Sequence, residues 1–253
     1  MFILLTALLL FQIKSENIIQ KLNTKINAVI FDLDTLLDTR CYFDDINQIL
    51  INTYGNGKPY SPEYRMITHG TSLIFENRFM FEQFKINITL EKFSEIKNDY
   101  IKERIKSLNP LKNWINELTN NIKNKFGLKT AIITGLHKDL VEFELAPHKK
   151  WVDSDFDLLI TGDDKRIKHG KPSPDIFILA ANSLGVNLEE CLIIDNSLNG
   201  IKAAISSGAR AVIGLPDNQS TKYVFENFQF DRYKTDFIIL NSLKDFDYSL
   251  LDG

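Results

Sequence analysis

Five short apolar runs punctuate the chain, four of them in its second half. They are Asn27-Ala-Val-Ile-Phe31, Thr130-Ala-Ile-Ile-Thr134, Leu158-Leu-Ile-Thr161, Cys191-Leu-Ile-Ile-Asp195 and Ala211-Val-Ile-Gly214. Each is continuous rather than alternating in polarity, which predicts strands covered on both faces, as in a parallel sheet. Helical patterns separate the later runs. One spans 176–184, opened by Pro174 with Asp175 in its first turn; another spans 198–207 and is stopped by Gly208. Strands alternating with helices predict an α/β protein built on a doubly wound, Rossmann-like parallel sheet.

Residues 42–108 follow a different rhythm. No β-branched run stands out, and Phe75, Phe79 and Phe84, like Phe93, Ile96 and Tyr100, fall at helical spacing. This predicts an inserted all-helical domain, with Phe75, Phe79, Phe81 and Phe84 in its core rather than forming a base-stacking platform. Asn109-Pro110 is expected to end the insert, and a helix over 111–126 to lead back to the sheet. The division expected is therefore an α/β core of 26–41 and 109–245 around an insert of 42–108.

The N-terminus is a separate matter. Residues 2–13 carry no charge. A bilayer span takes roughly 20 apolar residues, so the run suits the apolar region of a signal peptide, with cleavage expected between Ser15 and Glu16. A buried N-terminal helix and an over-extended reading frame are the competing readings. If 1–15 is a signal peptide the protein enters the secretory pathway, which sequons at Asn87 and Asn218 would suit; otherwise it is cytoplasmic. No stable membrane span is expected.

Composition narrows the function. In 253 residues, 44% are hydrophobic and 25% charged, ordinary for a globular protein, and 30 Lys and Arg against 33 Asp and Glu leave a net charge of -3. Such a balance argues against a nucleic-acid partner. Cys41 and Cys191 are the only cysteines, which excludes a four-Cys zinc site or a disulfide framework. Cys191, opening a strand, reads as an inert small hydrophobe. The spacing of His137, His148 and His169 fits no ligand pattern, so these read as solvated or hydrogen-bonded.

Ligands of open α/β sheets bind beyond the carboxyl ends of the strands, so the polar residues after each apolar run are the candidates. Asp32 and Asp34 follow the first, Thr134 and Gly135 the second, and Asp195, Asn196 and Ser197 the fourth, while Lys171-Pro172 precedes a helix. Each is weak alone: a strand-end Asp is more often a helix cap, a Thr-Gly a turn. Their order carries the signal. One aspartate can attack phosphorus, and a second carboxylate two residues on can protonate the leaving oxygen and later activate water. A Lys, a hydroxyl and Mg²⁺ neutralise phosphoryl charge, and carboxylates on adjacent strand ends supply the hard oxygens that Mg²⁺ prefers.

This set of motifs resembles the haloacid dehalogenase superfamily of phosphatases, and the helical insert resembles its mobile cap. The stretch Thr161 to Phe177, the tail Asn241-Ser-Leu-Lys-Asp-Phe246 and the segment from Gly57 to Gly70 are similar to pseudouridine-5'-phosphatases. The resemblance implies Asp32 as nucleophile, Asp34 as acid/base, Thr134 and Gly135 with Lys171 as phosphate binders, and Mg²⁺ held by Asp32, the Asp34 carbonyl, Asp195 and Asn196. It implies a Mg²⁺-dependent phosphatase of a small phosphorylated metabolite, with pseudouridine 5'-phosphate as the candidate; a monomer is expected.

Three departures from the family pattern stand out. The first motif, Asp32-Leu-Asp34-Thr-Leu-Leu-Asp38-Thr39, is one residue short and lacks its usual Gly, so the turn aiming Asp34 must be rebuilt. Asn196 stands where a metal-binding carboxylate is usual, and Thr71-Ser72 where the cap often carries a basic residue. An impaired member that keeps the fold and binds a phosphorylated ligand is thus the alternative to an active enzyme. A hexose-phosphate mutase of the same fold is a third reading, but it needs an extra basic cluster in the cap, and this sequence shows none. From the sequence, Asn196→Asp is expected to strengthen cation binding, unless Asp195 already serves.

Overall fold

The computed structural model describes residues 25–106, 111, 114–228 and 235–251. The proposed signal segment 1–15 and the boundary at Asn109-Pro110 lie outside the described residues. Six parallel strands form one sheet in the order β3-β2-β1-β4-β5-β6: β1 (Ala28–Asp32), β2 (Lys129–Ile133), β3 (Leu158–Ile160), β4 (Cys191–Asp195), β5 (Ala211–Gly214) and β6 (Asp236–Ile239). The first strand lies in the middle of the sheet and the later ones are added outward on both sides, the doubly wound arrangement expected from the sequence.

Strand periodicity sorts the two layers. Val29 and Phe31 of β1, with Ile132, Leu192 and Ile194, face a layer that includes Ile115, Leu118 and Val141. Ala28 and Ile30, with Ala131, Ile133 and Ile193, face Phe177, Ala180 and Ile201. Both faces are therefore dry, which is why the strands read as unbroken apolar runs.

Helices cover the sheet and build the insert. A single turn, α1 (Leu33–Leu36), follows β1. The insert comprises α2 (Arg40–Tyr54), α3 (Pro62–Thr68), α4 (Leu73–Gln83) and α5 (Leu90–Lys106), around a core of Tyr42, Leu50, Met80, Phe84, Phe93 and Ile101. The return helix is shorter than expected: α6 (Ile115–Asn120) passes into a π-helical turn at Asn121–Lys125. Then come α7 (Lys138–Leu145), α8 (Lys149–Asp155), α9 (Asp175–Leu184), α10 (Leu198–Ser206) and α11 (Gln219–Asn227). Among the described residues no helix is long and apolar enough to cross a membrane.

The insert is helical as its rhythm predicts, but the inward face of α4 differs. Leu73, Glu76, Asn77 and Met80 are buried, whereas Phe75 is 47% exposed and stacks on Phe79 at the surface. Polar residues take the inner positions because Glu76 meets the buried Lys97 there and the Asn77 amide donates to the Ser94 hydroxyl.

Candidate active site

Parallel pairing brings the strand ends level. Asp32 pairs with Ile133 and Phe31 with Ile194, so Asp32, Thr134 and Asp195 emerge together at the carboxyl edge of three adjacent strands. Lys171 arrives from the loop before α9, 139 residues along the chain from Asp32. Its ammonium lies 2.6 Å from Asp32 Oδ1 and 2.6 Å from Asp195 Oδ2, all three side chains being buried.

The short first motif solves its turn without glycine. Asp32 caps α1, its Oδ2 accepting from the Asp34 N–H at 3.0 Å, and the Thr35 hydroxyl donates to the Asp32 carbonyl at 2.6 Å. No residue from 32 to 39 has a positive φ, so the turn has no need of glycine. Asp34 is partly exposed to the cleft, and its Oδ1 accepts from the Thr39 hydroxyl at 2.9 Å. Thr134 Oγ1 accepts from the Leu136 N–H at 3.1 Å, which leaves its own proton available to a ligand.

Glycine is required beside Asp195. A Cβ on Gly200, in the first turn of α10, would lie 2.0 Å from the Asp195 carboxylate. That carboxylate is also held by Ser197, whose N–H and hydroxyl donate to Oδ1 at 2.9 and 2.8 Å.

Two carboxylates sharing one ammonium in a dry site leave an excess of negative charge. Burial pushes the Asp32 carboxyl up strongly; Lys171 pulls it back, and Asp195 and Asp34 add to the rise, for a net value of about 8. Burial alone would lower Lys171, but Asp195 and Asp32 together hold its ammonium above its ordinary range. An additional cation at the Asp32–Asp195 edge would relieve this imbalance. The oxygen donors there are hard ones, and Asn196 Oδ1 is buried without a hydrogen-bond partner, an atom that a cation would satisfy. Among the described residues no group of three or more His, Cys, Asp or Glu side chains is placed to hold a metal.

The insert closes this edge. The Leu73 N–H donates to the Gly135 carbonyl at 3.0 Å, and Asn199 Nδ2 donates to the His69 carbonyl at 2.9 Å. Asp32, Asp34, Thr134 and Gly135 share with Thr68, Thr71 and Glu76 of the insert a cavity of about 30 Å³. A cavity of that size holds water rather than a phosphorylated metabolite.

Several polar residues at this edge went unread in the sequence. Glu76 Oε1 accepts from Asn47 Nδ2 at 2.8 Å, and its Oε2 lies 3.2 Å from the ammonium of the fully buried Lys97. Asp217, just past β5, takes the amide of Asn196. The rule that pointed to Asp195 would have reached it, because it too follows a strand end. Burial pushes the Cys191 thiol up to about 12, as befits an inert side chain.

A further buried acid adjoins the site. Glu144 on α7 is inaccessible, neither of its oxygens has a hydrogen-bond partner, and burial, with Asp34 adding, pushes its carboxyl well above the usual range. Above the unfolded value of about 4.5, the unfolded chain sheds this proton while the folded chain keeps it, so stability falls as pH rises toward the folded value. Glu144→Gln is therefore expected to flatten the loss of stability between pH 5 and pH 8. Urea melts of both proteins at the two pH values check this, and equal slopes would count against it.

With this geometry in view, the chain was compared with known proteins. The sequence profile of the haloacid dehalogenase-like hydrolases matches residues 26–208. The chain belongs to that family. Its relatives include the "Probable pseudouridine-5'-phosphatase" of Drosophila melanogaster, 28% identical over 201 residues that cover 78% of this chain and 84% of the relative. The "Phosphorylated carbohydrates phosphatase" of Thermotoga maritima is 27% identical over 190 residues, covering 74% of this chain and 84% of the relative. In fold, CbbY from Rhodobacter sphaeroides in complex with phosphate superposes with a TM-score of 0.72 at 22% identity, over 90% of this chain and 100% of that one. The family is the one that the strand-end motifs resemble.

Proposed function

We propose that this hydrolase is a Mg²⁺-dependent phosphatase of a small phosphorylated metabolite, acting through an aspartyl-phosphate on Asp32. The observation that carries the reading is the pair of 2.6 Å contacts from Lys171 to Asp32 and Asp195, which gathers a nucleophile and a cation from distant parts of the chain at one strand edge. Asp32, once ionised, attacks phosphorus. The bond to the leaving oxygen breaks as Asp34 hands it a proton. Asp34, now a carboxylate, takes a proton from the water that attacks the same phosphorus, and the bond to Asp32 breaks. The Thr134 hydroxyl, the Gly135 N–H and Lys171 hold the phosphoryl oxygens through both steps. Asp32, the Asp34 carbonyl, Asp195 and Asn196 would hold Mg²⁺, which offsets the repulsion between a carboxylate nucleophile and a phosphate dianion.

The cap side of the cleft bears on the leaving group. Lys97, the buried cation there, is already paired with Glu76, so this wall offers a carboxylate and an amide rather than an anion site. Such a wall suits hydroxyl-bearing leaving groups, as in sugar or nucleoside monophosphates, and pseudouridine 5'-phosphate is the named candidate because of the Drosophila relative. A screen of phosphorylated metabolites with and without Mg²⁺ tests both parts. Mg²⁺-dependent release of phosphate from sugar or nucleoside monophosphates, ahead of bisphosphates, is expected. Absence of any phosphate release would favour the impaired, ligand-binding alternative.

A further inference from the structure

We propose that Asp217 is a positioning residue: it turns the Asn196 side chain so that the amide oxygen, rather than the NH₂ group, is offered to the cation. The inference rests on the Mg²⁺ reading of the site. Asn196 follows Asp195 at the end of β4 and is 1% exposed. Its Nδ2 donates to both oxygens of Asp217, at 3.0 and 3.1 Å. A carboxylate only accepts hydrogen bonds, so the reversed amide would set an oxygen against two oxygens. One rotamer is thereby selected, and it leaves Oδ1 on the opposite side, buried and without any donor in reach. An amide oxygen held dry and unpaired is costly in a folded protein, and a hard dication supplies what it lacks.

Asp217 is well placed for this task. The loop that carries it is tied to β4, because the Leu215 N–H donates to the Asp195 carbonyl at 2.9 Å. Its carboxylate also lies 3.6 Å from His69 Nε2 and is 24% exposed, so water shares the burden of its charge. The negative charge that the family pattern puts at position 196 is thus present here one residue further out. From there it polarises the amide and strengthens the oxygen as a ligand, as partners behind metal-binding groups generally do.

The arrangement reverses the expectation drawn from sequence for Asn196→Asp. That change would press two carboxylates together at about the present 3.0 Å contact, and the repulsion cancels what a charged ligand adds. Titration calorimetry of MgCl₂ into the full, metal-free chain without substrate, with melting temperatures recorded alongside, tests the proposal on four proteins. Asp217→Asn should weaken Mg²⁺ binding roughly 10–100-fold, and Asn196→Asp should bind no more tightly than wild type. The exchange of both, Asn196→Asp with Asp217→Asn, should restore wild-type affinity or better. Asp217→Asn with a lowered melting temperature but unchanged Mg²⁺ affinity would reduce Asp217 to a strut and overturn the proposal. So would tighter binding by Asn196→Asp alone. Wild type that takes no Mg²⁺ would overturn the cation reading itself, and this inference with it.

Discussion

Asp32→Asn is expected to abolish hydrolysis, with a loss on the order of 10⁴-fold or more, because an amide cannot form the acyl-phosphate. The substitution is nearly isosteric, and the amide oxygen can still accept from the Lys171 ammonium, so the fold should survive. Asp32 is 5% exposed, and burial pushes its carboxyl up to about 8, so loss of its charge is not expected to cost the fold much. Unchanged melting with no phosphate release is therefore the expected pair of results. Phosphate release that survives the change would mean a contaminant or a different nucleophile. Asp34→Asn should cost less, roughly 10²–10⁴-fold, since it removes proton transfer but leaves attack possible.

Lys171→Met should have the largest effect on stability. The ammonium is the shared partner of two buried carboxylates, at 2.6 Å from each. Removing one member of a buried ionic group leaves uncompensated charge, typically at about 3–5 kcal/mol. The sign of the pH dependence follows from Asp32. Its folded value lies above its unfolded one, so protons favour the folded state between the two. Without Lys171 that preference grows, and a proton can take over part of the lost ammonium's role. Because the wild-type value is about 8, the loss measured by urea unfolding should be greater at pH 9.5 than at pH 6. A loss that is the same at both, or below about 1 kcal/mol, would contradict the charge balance described for the site.

How much of this was legible before the structure depended on what each residue had to signal. Strands β1, β2, β4 and β5 announced themselves because both their faces are dry, whereas β3, at the sheet edge with Leu159 exposed, was readable from its apolar run alone. The edge strand β6, only half-buried along Asp236–Ile239, carries a weaker pattern and went unread. In the insert the rhythm of α4 was readable but its inward face was not. Phe75 looked like core, yet Glu76 is the buried residue, because Lys97 and Asn47 satisfy it there. No local pattern reports a partner 21 or 29 residues away. Lys171 was legible through its place in the order of the motifs and through the family resemblance, since nothing in its own loop ties it to Asp32. Asn196 looked like a plain loss of a ligand. Its meaning changed once Asp217 stood behind it, a contact that depends on the order of β4 and β5 in the sheet.

The central claim is that phosphorus passes through Asp32. The most direct measurement is an acid quench of the enzyme turning over p-nitrophenyl phosphate with Mg²⁺, followed by peptide mass analysis. The account predicts one phosphoryl group on the peptide containing Asp32, absent from Asp32→Asn. Turnover with no phosphoryl group trapped on that peptide, or with one trapped on another residue, would contradict it.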